Sequence, residues 1–411
     1  MTAGETRTEF NRRDFWLAIG LSIFAALVFY FSIKATQAHF DYTSRIASAF
    51  LQGNLGLQSA PPPWLNEMVP GEGRYYSVFP LGAVLSVVPV ALLQKAGVIH
   101  DFPGRAVAAL IAGLSVCFFF QLSALEGRSL ARRILLALFP IFGTWVWCNV
   151  GSGGAWHIAL GFALLGEVGA LYFILVRPRP FLAGVFFALA FGNRTELILS
   201  APVYFYLIMR PADAGATWTD ASRNFRSKLP ALIRFLIVPI ALGLLTAAYN
   251  FARFHSIFDF GYSHIPNVLR EPWYQSGLFS LHAIPWNVQK MLFEGFGDLP
   301  SFPYVRFFPF GCSIFLCSPF LFLLFREGGA YKTAAWTAIA LLTFALWCHG
   351  NPGGWQFSYR YAIILIPWMF LLLVGNGPAQ ISTIEVSLFV VSVAINGLAM
   401  YEFLWTNQIQ P

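Results

Sequence analysis

The stretch Phe15 to Ala35, FWLAIGLSIFAALVFYFSIKA, decides the fold class of this chain. Its only charged residue is Lys34, and it is long enough to cross the hydrocarbon core of a bilayer, which takes roughly 20 apolar residues. Similar runs recur along the sequence. Of the 411 residues, 57% are hydrophobic and only 11% are charged, whereas a soluble protein carries roughly a quarter charged residues. The sequence therefore predicts an all-α polytopic membrane protein.

The apolar runs predict about eleven transmembrane helices in a single domain that covers the whole chain. The run Phe181–Met209 is predicted to be a hairpin of two short helices, because basic residues flank both its ends and Gly192–Glu196 interrupts it. An uncompensated charge within the hydrocarbon costs roughly 2.5 to 3.5 kcal/mol on insertion scales, so Arg194 must face a polar cavity or a partner. The other predicted spans are Phe15–Ala35, Gly104–Ala124, Leu130–Val150, Ile158–Val176, Leu229–Tyr249, Phe307–Phe325, Lys332–Trp347, Tyr361–Val374 and Thr383–Trp405.

Basic residues set the predicted orientation, since they collect on the cytoplasmic side of membrane proteins. Arg7, Arg12 and Arg13 place the N-terminus in the cytoplasm, and we expect the first span to be retained because no convincing cleavage site follows it. The net charge of +7 is then mostly explained by basic residues on the cytoplasmic side of the membrane, and it does not indicate a nucleic-acid partner. We expect the protein in a plasma membrane or a cell inner membrane.

The run Phe79–Leu93 contains Pro80 and Pro89 and fits either a short span or a helix lying on the outer surface. As a span it would place the arginines of residues 127–133 and 177–180 outside the cell. As a surface helix it leaves them in the cytoplasm, which the positive-inside tendency favours. We therefore predict a surface helix.

Two long segments face outward in this topology, residues 37–103 and residues 250–306. Within the first, Asp41–Gln52 has apolar residues at near-helical spacing, which is typical of an interfacial, juxtamembrane helix. The polar segment Pro211–Lys228 is predicted to be cytoplasmic and the C-terminus to lie outside. The five cysteines have neither zinc-ligand spacing nor a disulfide framework, so we expect free, buried thiols.

Polar residues that could carry chemistry begin just past the first span, in His39-Phe40-Asp41-Tyr42-Thr43-Ser44-Arg45. A carboxylate at the mouth of a span can accept a proton from an acceptor hydroxyl, and arginines can hold a departing phosphate by charge-assisted bonds. Acids and bases gathered at one bilayer edge are what transfer from a lipid phosphate requires. Besides Asp41 and Arg45, the predicted outer face gathers Glu67, Glu72, Arg74, His157, Arg194, Glu196, the segment 250–306 and the segment 353–361.

Each of these residues also has a structural interpretation. Asp41 could cap the helix that follows it, and His157 could be an interfacial anchor at the end of a span. Arg194 and Glu196 could neutralise each other inside the bundle. Arg360 could snorkel to the lipid headgroups. Ordinary loop polarity could explain the remaining polar residues, namely Arg253, His255, Tyr262 and His264.

The order of these features resembles the GT-C superfamily of membrane glycosyltransferases, which use polyprenyl- or dolichyl-phosphate sugars. The resemblance covers most of the chain and rests on short motifs. They are Asp41-Tyr42, Ala47–Gly53, Tyr75-Tyr76-Ser77-Val78-Phe79-Pro80-Leu81-Gly82, Ala190–Glu196, Tyr249–Phe254 leading to Gly261-Tyr262, and Gly353-Gly354 with Tyr359-Arg360-Tyr361.

This resemblance implies an inverting transfer of a sugar from a polyprenyl-phosphate donor to a glycan, lipid or protein acceptor at the outer face. It implies that Asp41 is the base or its nearest equivalent, and that Arg194 and Arg360 are candidates for binding the carrier phosphate. We also expect His157 to be a catalytic residue. Many relatives carry an acidic residue in the second outer loop, where this chain has Trp156-His157, so we expect metal-independent chemistry and no cofactor. The expected substrate contacts are Tyr42, Arg45, Arg74, Tyr76, Glu196, Arg253, Tyr262, His264 and Tyr359.

Three other functions stay open at this point. A transporter or flippase of lipid-linked sugars would place charges deep in the bundle, often on paired broken helices, and no second copy of the Gly192–Glu196 interruption is present. A glycan ligase or polymerase with a diphosphate carrier would show several arginines in a large outer loop, and residues 250–306 include Arg253, Arg270 and Arg306. A noncatalytic assembly subunit is the third alternative.

Overall fold

The computed structural model describes residues 12–34, 40–210 and 225–406, except for the side chain of Phe225. The predictions that concern Arg7, His39, Arg223 and residues 407–411 lie outside these ranges. Most of the described chain is helical, and the strands are short. This architecture fits an all-α membrane protein.

The α-helices follow one another along the chain with short loops between many of them. In chain order they are α1 (Arg12–Ser32), α2 (Tyr42–Phe50), α3 (Leu81–Lys95), α4 (Gly104–Leu122), α5 (Leu130–Phe142), α6 (Val146–Gly151), α7 (Ala155–Leu175), α8 (Pro180–Asn193), α9 (Ala201–Met209), α10 (Phe225–Phe254), α11 (Ile284–Val288), α12 (Ile314–Cys317), α13 (Lys332–Cys348), α14 (Ile366–Gly375) and α15 (Thr383–Trp405).

Shorter elements connect these helices. The strands β1 (Met68–Gly71) and β2 (Arg74–Ser77) form one antiparallel hairpin, and β3 (Gly297–Asp298) and β4 (Val305–Arg306) form a second. The longer 3₁₀ segments are Ser123–Glu126, Thr195–Ser200, Pro319–Phe325 and Arg360–Leu365, and a π-helical turn spans Gln289–Phe293.

Five helical segments within the described ranges are long and apolar enough to cross a membrane. They are Arg12–Ser32, Gly104–Glu126, Ala155–Leu175, Arg226–Phe254 and Thr383–Trp405. The other apolar helices are shorter, and a count of about eleven crossings stays a prediction.

Two of the predicted spans are broken into pieces. The run Leu130–Val150 divides into α5 and α6 because the chain turns at Gly143–Trp145, where the Thr144 hydroxyl donates to the Pro140 carbonyl at 2.5 Å. The run Phe307–Phe325 contains only the short α12 and a 3₁₀ segment. Pro319 lacks the N–H that a continuous helix would need there.

Arginines hold together one end of the bundle, which we call the basic end. The Arg128 guanidinium donates to the carbonyls of Val374, Gly375 and Gly377 at the C-terminus of α14. Such contacts satisfy carbonyls that a helix terminus leaves free and place positive charge at its negative end. Arg132 forms a buried ion pair of 2.9 Å with Glu385 at the start of α15.

The opposite end carries the loops and hairpins, and we call it the cavity end. The segment 37–103, which the sequence predicts to face outward, reaches this end at Phe40, whose carbonyl accepts from the Ala155 N–H at the start of α7. Both ends of α3 lie there as well. Near its start Ser86 accepts from Asn193, the last residue of α8, and near its end Gln94 accepts from Ser44 of α2.

The packing of α3 on α8 depends on two glycines. A Cβ on Gly82 would overlap the backbone of Gly192. Because Gly192 is the first residue of the interruption Gly192–Glu196, this close contact helps to position Arg194 relative to α3.

Candidate functional site

Two cavities open at the cavity end. The larger has a volume of about 840 Å³, which is within the usual range for small-molecule sites, roughly 300 to 1,000 Å³; we call it the large cavity. Its polar and aromatic wall residues include Trp64, Asn66, Glu67, Asn149, Ser152, Trp156, His157, Arg194, Glu196, Tyr262, Glu271, Trp273, His349, Asn351, Trp355, Arg360 and Tyr361.

The second cavity, of about 480 Å³, is called the small cavity. It lies between α2, the loop that follows α2 and the loop that follows α3. Its wall consists of Asp41, Ser44, Arg45, Ser48, Ala49, Gln52, Asn54, Gly56, Leu57, Gln58, Ser59, Gln94, His100, Asp101 and Phe102.

Arg194 lies where the predicted hairpin is interrupted. Helix α8 ends at Asn193, and Arg194 has an extended backbone conformation before the 3₁₀ segment that starts at Thr195. Its Nε and one Nη donate to the same Glu196 oxygen at 2.8 and 2.6 Å. Both side chains line the large cavity. The interpretation as a neutralising pair is therefore met, and the pair also faces a cavity.

Arg360 enters the same cavity from the segment before α14. Its side chain is 9% exposed, one Nη donates to the Gly354 carbonyl at 3.1 Å and the other to the Tyr361 hydroxyl at 3.2 Å. Its Nε has no hydrogen-bond partner, and within the described chain no carboxylate pairs with it. Because its hydrogen-bond partners are neutral groups, this buried guanidinium can offer its positive charge to an anionic ligand.

The Tyr361 ring lies between the two arginines. The guanidinium carbons of Arg194 and Arg360 are 4.7 and 5.0 Å from its centroid. Cation–π contacts of this kind orient guanidinium groups and add roughly 0.5 to 2 kcal/mol each. They hold both arginines on one side of the large cavity.

Glu67 supplies a carboxylate to this cavity. It lies in the loop before β1, and one of its oxygens accepts from the Trp156 indole N–H at 2.6 Å. Removal of the carboxyl group from bulk water raises its pKa to about 7, although the indole bond and the charge of Arg360 act in the opposite direction. A carboxylate with this pKa can take up and release a proton near neutral pH.

Two histidines complete the polar wall. His157 is buried in the first turn of α7, its Nδ1 is 2.6 Å from the Ser152 hydroxyl, and its Nε2 has no partner. The Nδ1 of His349 donates to the Asn351 carbonyl at 2.6 Å. Burial, together with the charges of Arg194 and Arg360, lowers the pKa of His349. This imidazole is therefore neutral near pH 7, with Nε2 free to accept a hydrogen bond.

The catalytic role expected for Asp41 places it in one site with Arg194, Arg360 and His157. That expectation is wrong, because its side chain lines the small cavity. Helix α2 begins at Tyr42, and Asp41 and Arg45, four residues apart, share one helix face, where they form a 2.8 Å ion pair. Asp41 makes no side-chain capping bond either, so the capping interpretation is not met.

Of the nine predicted substrate contacts, Glu196 and Tyr262 line the large cavity and Arg45 lines the small one. Tyr42, Tyr76, Arg253 and Tyr359 are buried in packing contacts. The Tyr42 hydroxyl donates to Asn66 at 3.0 Å, and that of Tyr359 donates to Asn287 at 2.8 Å. Outside both cavities lie Tyr42, Arg74, Tyr76, Arg253, His264 and Tyr359.

Sequence reasoning did not select Glu67, Tyr361 or His349 as site residues. Glu67 was one of several acids on the predicted outer face, and its partner Trp156 follows 89 residues later. No local pattern marks such a pair. The sequence does indicate Tyr361 as a candidate, since it follows Arg360 directly in a polar segment at the end of a predicted span.

Among the residues that the structure describes, no three His, Cys, Asp or Glu side chains group closely enough to hold a metal ion. The expectation of metal-independent chemistry stays a prediction. Comparison of the chain with protein-family models and with curated proteins finds no match. The assignment of function therefore rests on the geometry of the cavities and on the resemblance described above.

Proposed function

We propose that this protein is a membrane glycosyltransferase that moves a sugar from a polyprenyl-phosphate donor to an acceptor hydroxyl, and that the large cavity is the transfer site. The observation that carries the proposal is that one cavity holds both Arg360, a buried cation with no hydrogen-bonded carboxylate, and the carboxylate of Glu67. The reaction requires a cation that stabilises the anionic leaving group and a base that accepts the proton of the acceptor hydroxyl.

The phosphate of the donor fits the arginine side of the cavity. Arg360 faces it without a hydrogen-bonded carboxylate, and Arg194 adds a second guanidinium whose charge Glu196 partly offsets. Charge-assisted bonds to phosphate stabilise the negative charge that grows as the leaving group departs. The neutral Nε2 of His349 and the nearby aromatic rings offer contacts to the sugar itself.

Glu67 is the base in this proposal. Its carboxylate takes the proton of the acceptor hydroxyl while that oxygen bonds to the anomeric carbon of the donor sugar. The bond between the anomeric carbon and the phosphate oxygen breaks with inversion, and polyprenyl phosphate leaves. The sequence resemblance favours Asp41 for this role, whereas the position of Glu67 in the large cavity supports Glu67.

We further propose that both cavities face the outer side of the membrane. Support comes from the arginines of the opposite end, Arg128, Arg132, Arg133, Arg210 and Arg326, because basic residues collect on the cytoplasmic side. The contacts at both ends of α3 support its place as a juxtamembrane helix in the first outer segment.

The test uses the purified full chain in lipid nanodiscs with a panel of polyprenyl-phosphate hexoses and pentoses. We expect binding of at least one donor, release of polyprenyl phosphate when an acceptor is present, and donor binding about 10- to 100-fold weaker in Arg360→Ala, since charged hydrogen bonds contribute roughly 1.5 to 3 kcal/mol. Arg270→Ala removes an exposed arginine outside both cavities and is the matched control. Equal donor affinity in Arg360→Ala and wild type would contradict the phosphate role.

A further inference from the structure

We propose that the small cavity is a binding site for a neutral sugar unit of the acceptor. That the ligand is part of the acceptor follows from the proposed function. That the ligand is a carbohydrate follows from the residues of the small cavity.

The small cavity is built from three pieces of the first outer segment. Helix α2 supplies one wall, residues 51–59 the second and residues 94–102 the third. Hydrogen bonds tie these pieces together: Ser44 donates to Gln94 at 3.2 Å, and the Gln94 amide donates to the His100 carbonyl at 3.1 Å. The Lys95 ammonium also donates to the Leu51 carbonyl at 3.0 Å. Contacts between separate elements therefore hold the walls of the cavity in place, and the cavity is not formed by one loop alone.

The wall consists mainly of hydroxyl, amide and carboxylate groups. Sugar hydroxyls both donate and accept, and amide side chains offer both functions in one plane. The Gln58 amide is held by Asn54 at 3.1 Å, while the side chains of Gln52, Ser48 and Ser59 make no hydrogen bond within the described chain. Phe102, which is buried, adds an apolar side chain to this otherwise polar wall.

The two cavities differ in the charged residues of their walls. The charged wall residues of the small cavity are Asp41, Arg45 and Asp101, and the one arginine among them is already paired with Asp41 at 2.8 Å. No free guanidinium remains for a phosphate, and Asp101 would repel one. A neutral polyhydroxyl ligand fits this cavity better than the phosphate end of a lipid carrier.

The two cavities flank the same short stretch of chain. Phe40 lines the large cavity and Asp41, its neighbour, lines the small one. Between them Tyr42 packs on Trp156, with ring centroids 5.2 Å apart, and Trp156 bonds Glu67. The small cavity therefore lies next to the residues that hold the proposed base in place.

The test measures equilibrium binding of neutral methyl glycosides of common hexoses and pentoses to the full chain in nanodiscs, by saturation-transfer NMR and without any donor. Gln52 and Gln58 are exposed, so that the double variant Gln52→Ala, Gln58→Ala should fold normally. We expect at least one glycoside to bind wild type and to bind this variant about tenfold more weakly, because two hydrogen bonds are lost. Gln275→Ala, an exposed glutamine outside both cavities, is the control and should bind as wild type does.

Two results would overturn the inference: no glycoside binds the wild-type chain, or the double variant binds the glycosides as tightly as wild type does. The proposed function is tested separately by donor consumption. A chain that binds glycosides in the small cavity yet consumes no polyprenyl-phosphate sugar would retain the carbohydrate site and lose the transferase assignment. If the wild-type chain consumes donor but the double variant binds glycosides as tightly as wild type does, the transferase assignment stands and the proposed sugar site in the small cavity fails.

Discussion

Glu67 has the chemistry of a base that works near neutral pH because of where its carboxylate lies. The indole N–H of Trp156 and the charge of Arg360 favour the ionised form, and withdrawal from water disfavours it more strongly. The balance leaves a carboxyl group that loses its proton near pH 7, whereas a solvated glutamate would be ionised throughout this range and would be a weaker base.

The pH dependence of transfer follows directly. Only the ionised carboxylate accepts a proton, so the rate at saturating donor should rise as the pH increases through about 7 and level off above it. Below that point it should fall by about tenfold per pH unit. A stopped assay of polyprenyl phosphate release across this range measures the profile, and a rate that stays constant down to about pH 5.5 would exclude Glu67 as the base.

The two arginines have different tasks because their partners differ. Arg194 is held by Glu196, and Arg360 is bonded only to a carbonyl and a hydroxyl. We expect Arg360→Lys to retain part of the donor affinity that Arg360→Ala loses, since a lysine keeps the charge but not the planar fork of donors. Titration with the donor gives the three affinities, and a lysine variant as weak as the alanine variant would show that geometry and not charge decides.

Among the elements, α3 positions the site through its contact with α8. Gly82→Ala would push a methyl group into the backbone of Gly192, and overpacking of this kind costs roughly 1 to 3 kcal/mol. We expect a lower unfolding temperature in detergent and slower transfer, because Arg194 follows Gly192 closely. Gly243→Ala is the matched control, since a Cβ there meets nothing within 4 Å. Equal stability of the two variants would refute the close contact of α3 with α8.

At the basic end, α15 is anchored by a buried charge network. Glu385 is 1% exposed and pairs with Arg132, which is 2% exposed, and with Arg326 at 3.2 Å. Glu385→Ala leaves a buried guanidinium without its counter-charge, and we expect a loss of stability of about 3 to 5 kcal/mol. Lys332→Ala, an exposed position, should change little. Thermal unfolding followed by tryptophan fluorescence compares them, and a Glu385→Ala midpoint within error of the control would contradict the anchoring role.

Over the whole molecule, the separation of the basic end from the cavity end predicts the topology. In a background without native cysteines, Gln58→Cys at the small cavity should react with an impermeant maleimide added outside intact cells. Lys332→Cys, next to the basic end, should react only after permeabilisation. The reverse pattern would show that the cavities face the cytoplasm.

The sequence was informative where a single element decides the outcome. Long apolar runs such as Ala155–Leu175 became long helices. The charge of Arg194 within an apolar run predicted that it faces a polar cavity or a partner, and it has both. The sequence was uninformative where helix phase or distant contacts decide. At the start of α2, Asp41 shares one helix face with Arg45, and contacts distant in sequence decide which cavity that face lines.

The small cavity could not be predicted at all, because the end of α2 and residues 94–102 meet only in the folded chain. The β1–β2 hairpin was missed for a similar reason, since Met68–Gly71 is too short and too rich in Pro and Gly to show strand alternation. The five cysteines are free as expected, although Cys117 and Cys348 are only partly buried.

The most direct test of the central claim compares Glu67→Gln with Asp41→Asn in the same nanodisc assay. Both substitutions remove a carboxylate and keep the shape of the side chain. We expect Glu67→Gln to bind the donor nearly as wild type does and to lose transfer by at least about 100-fold, while Asp41→Asn retains donor binding and measurable transfer. Near-normal turnover in Glu67→Gln together with loss of transfer in Asp41→Asn would contradict the assignment of the large cavity's carboxylate as the base.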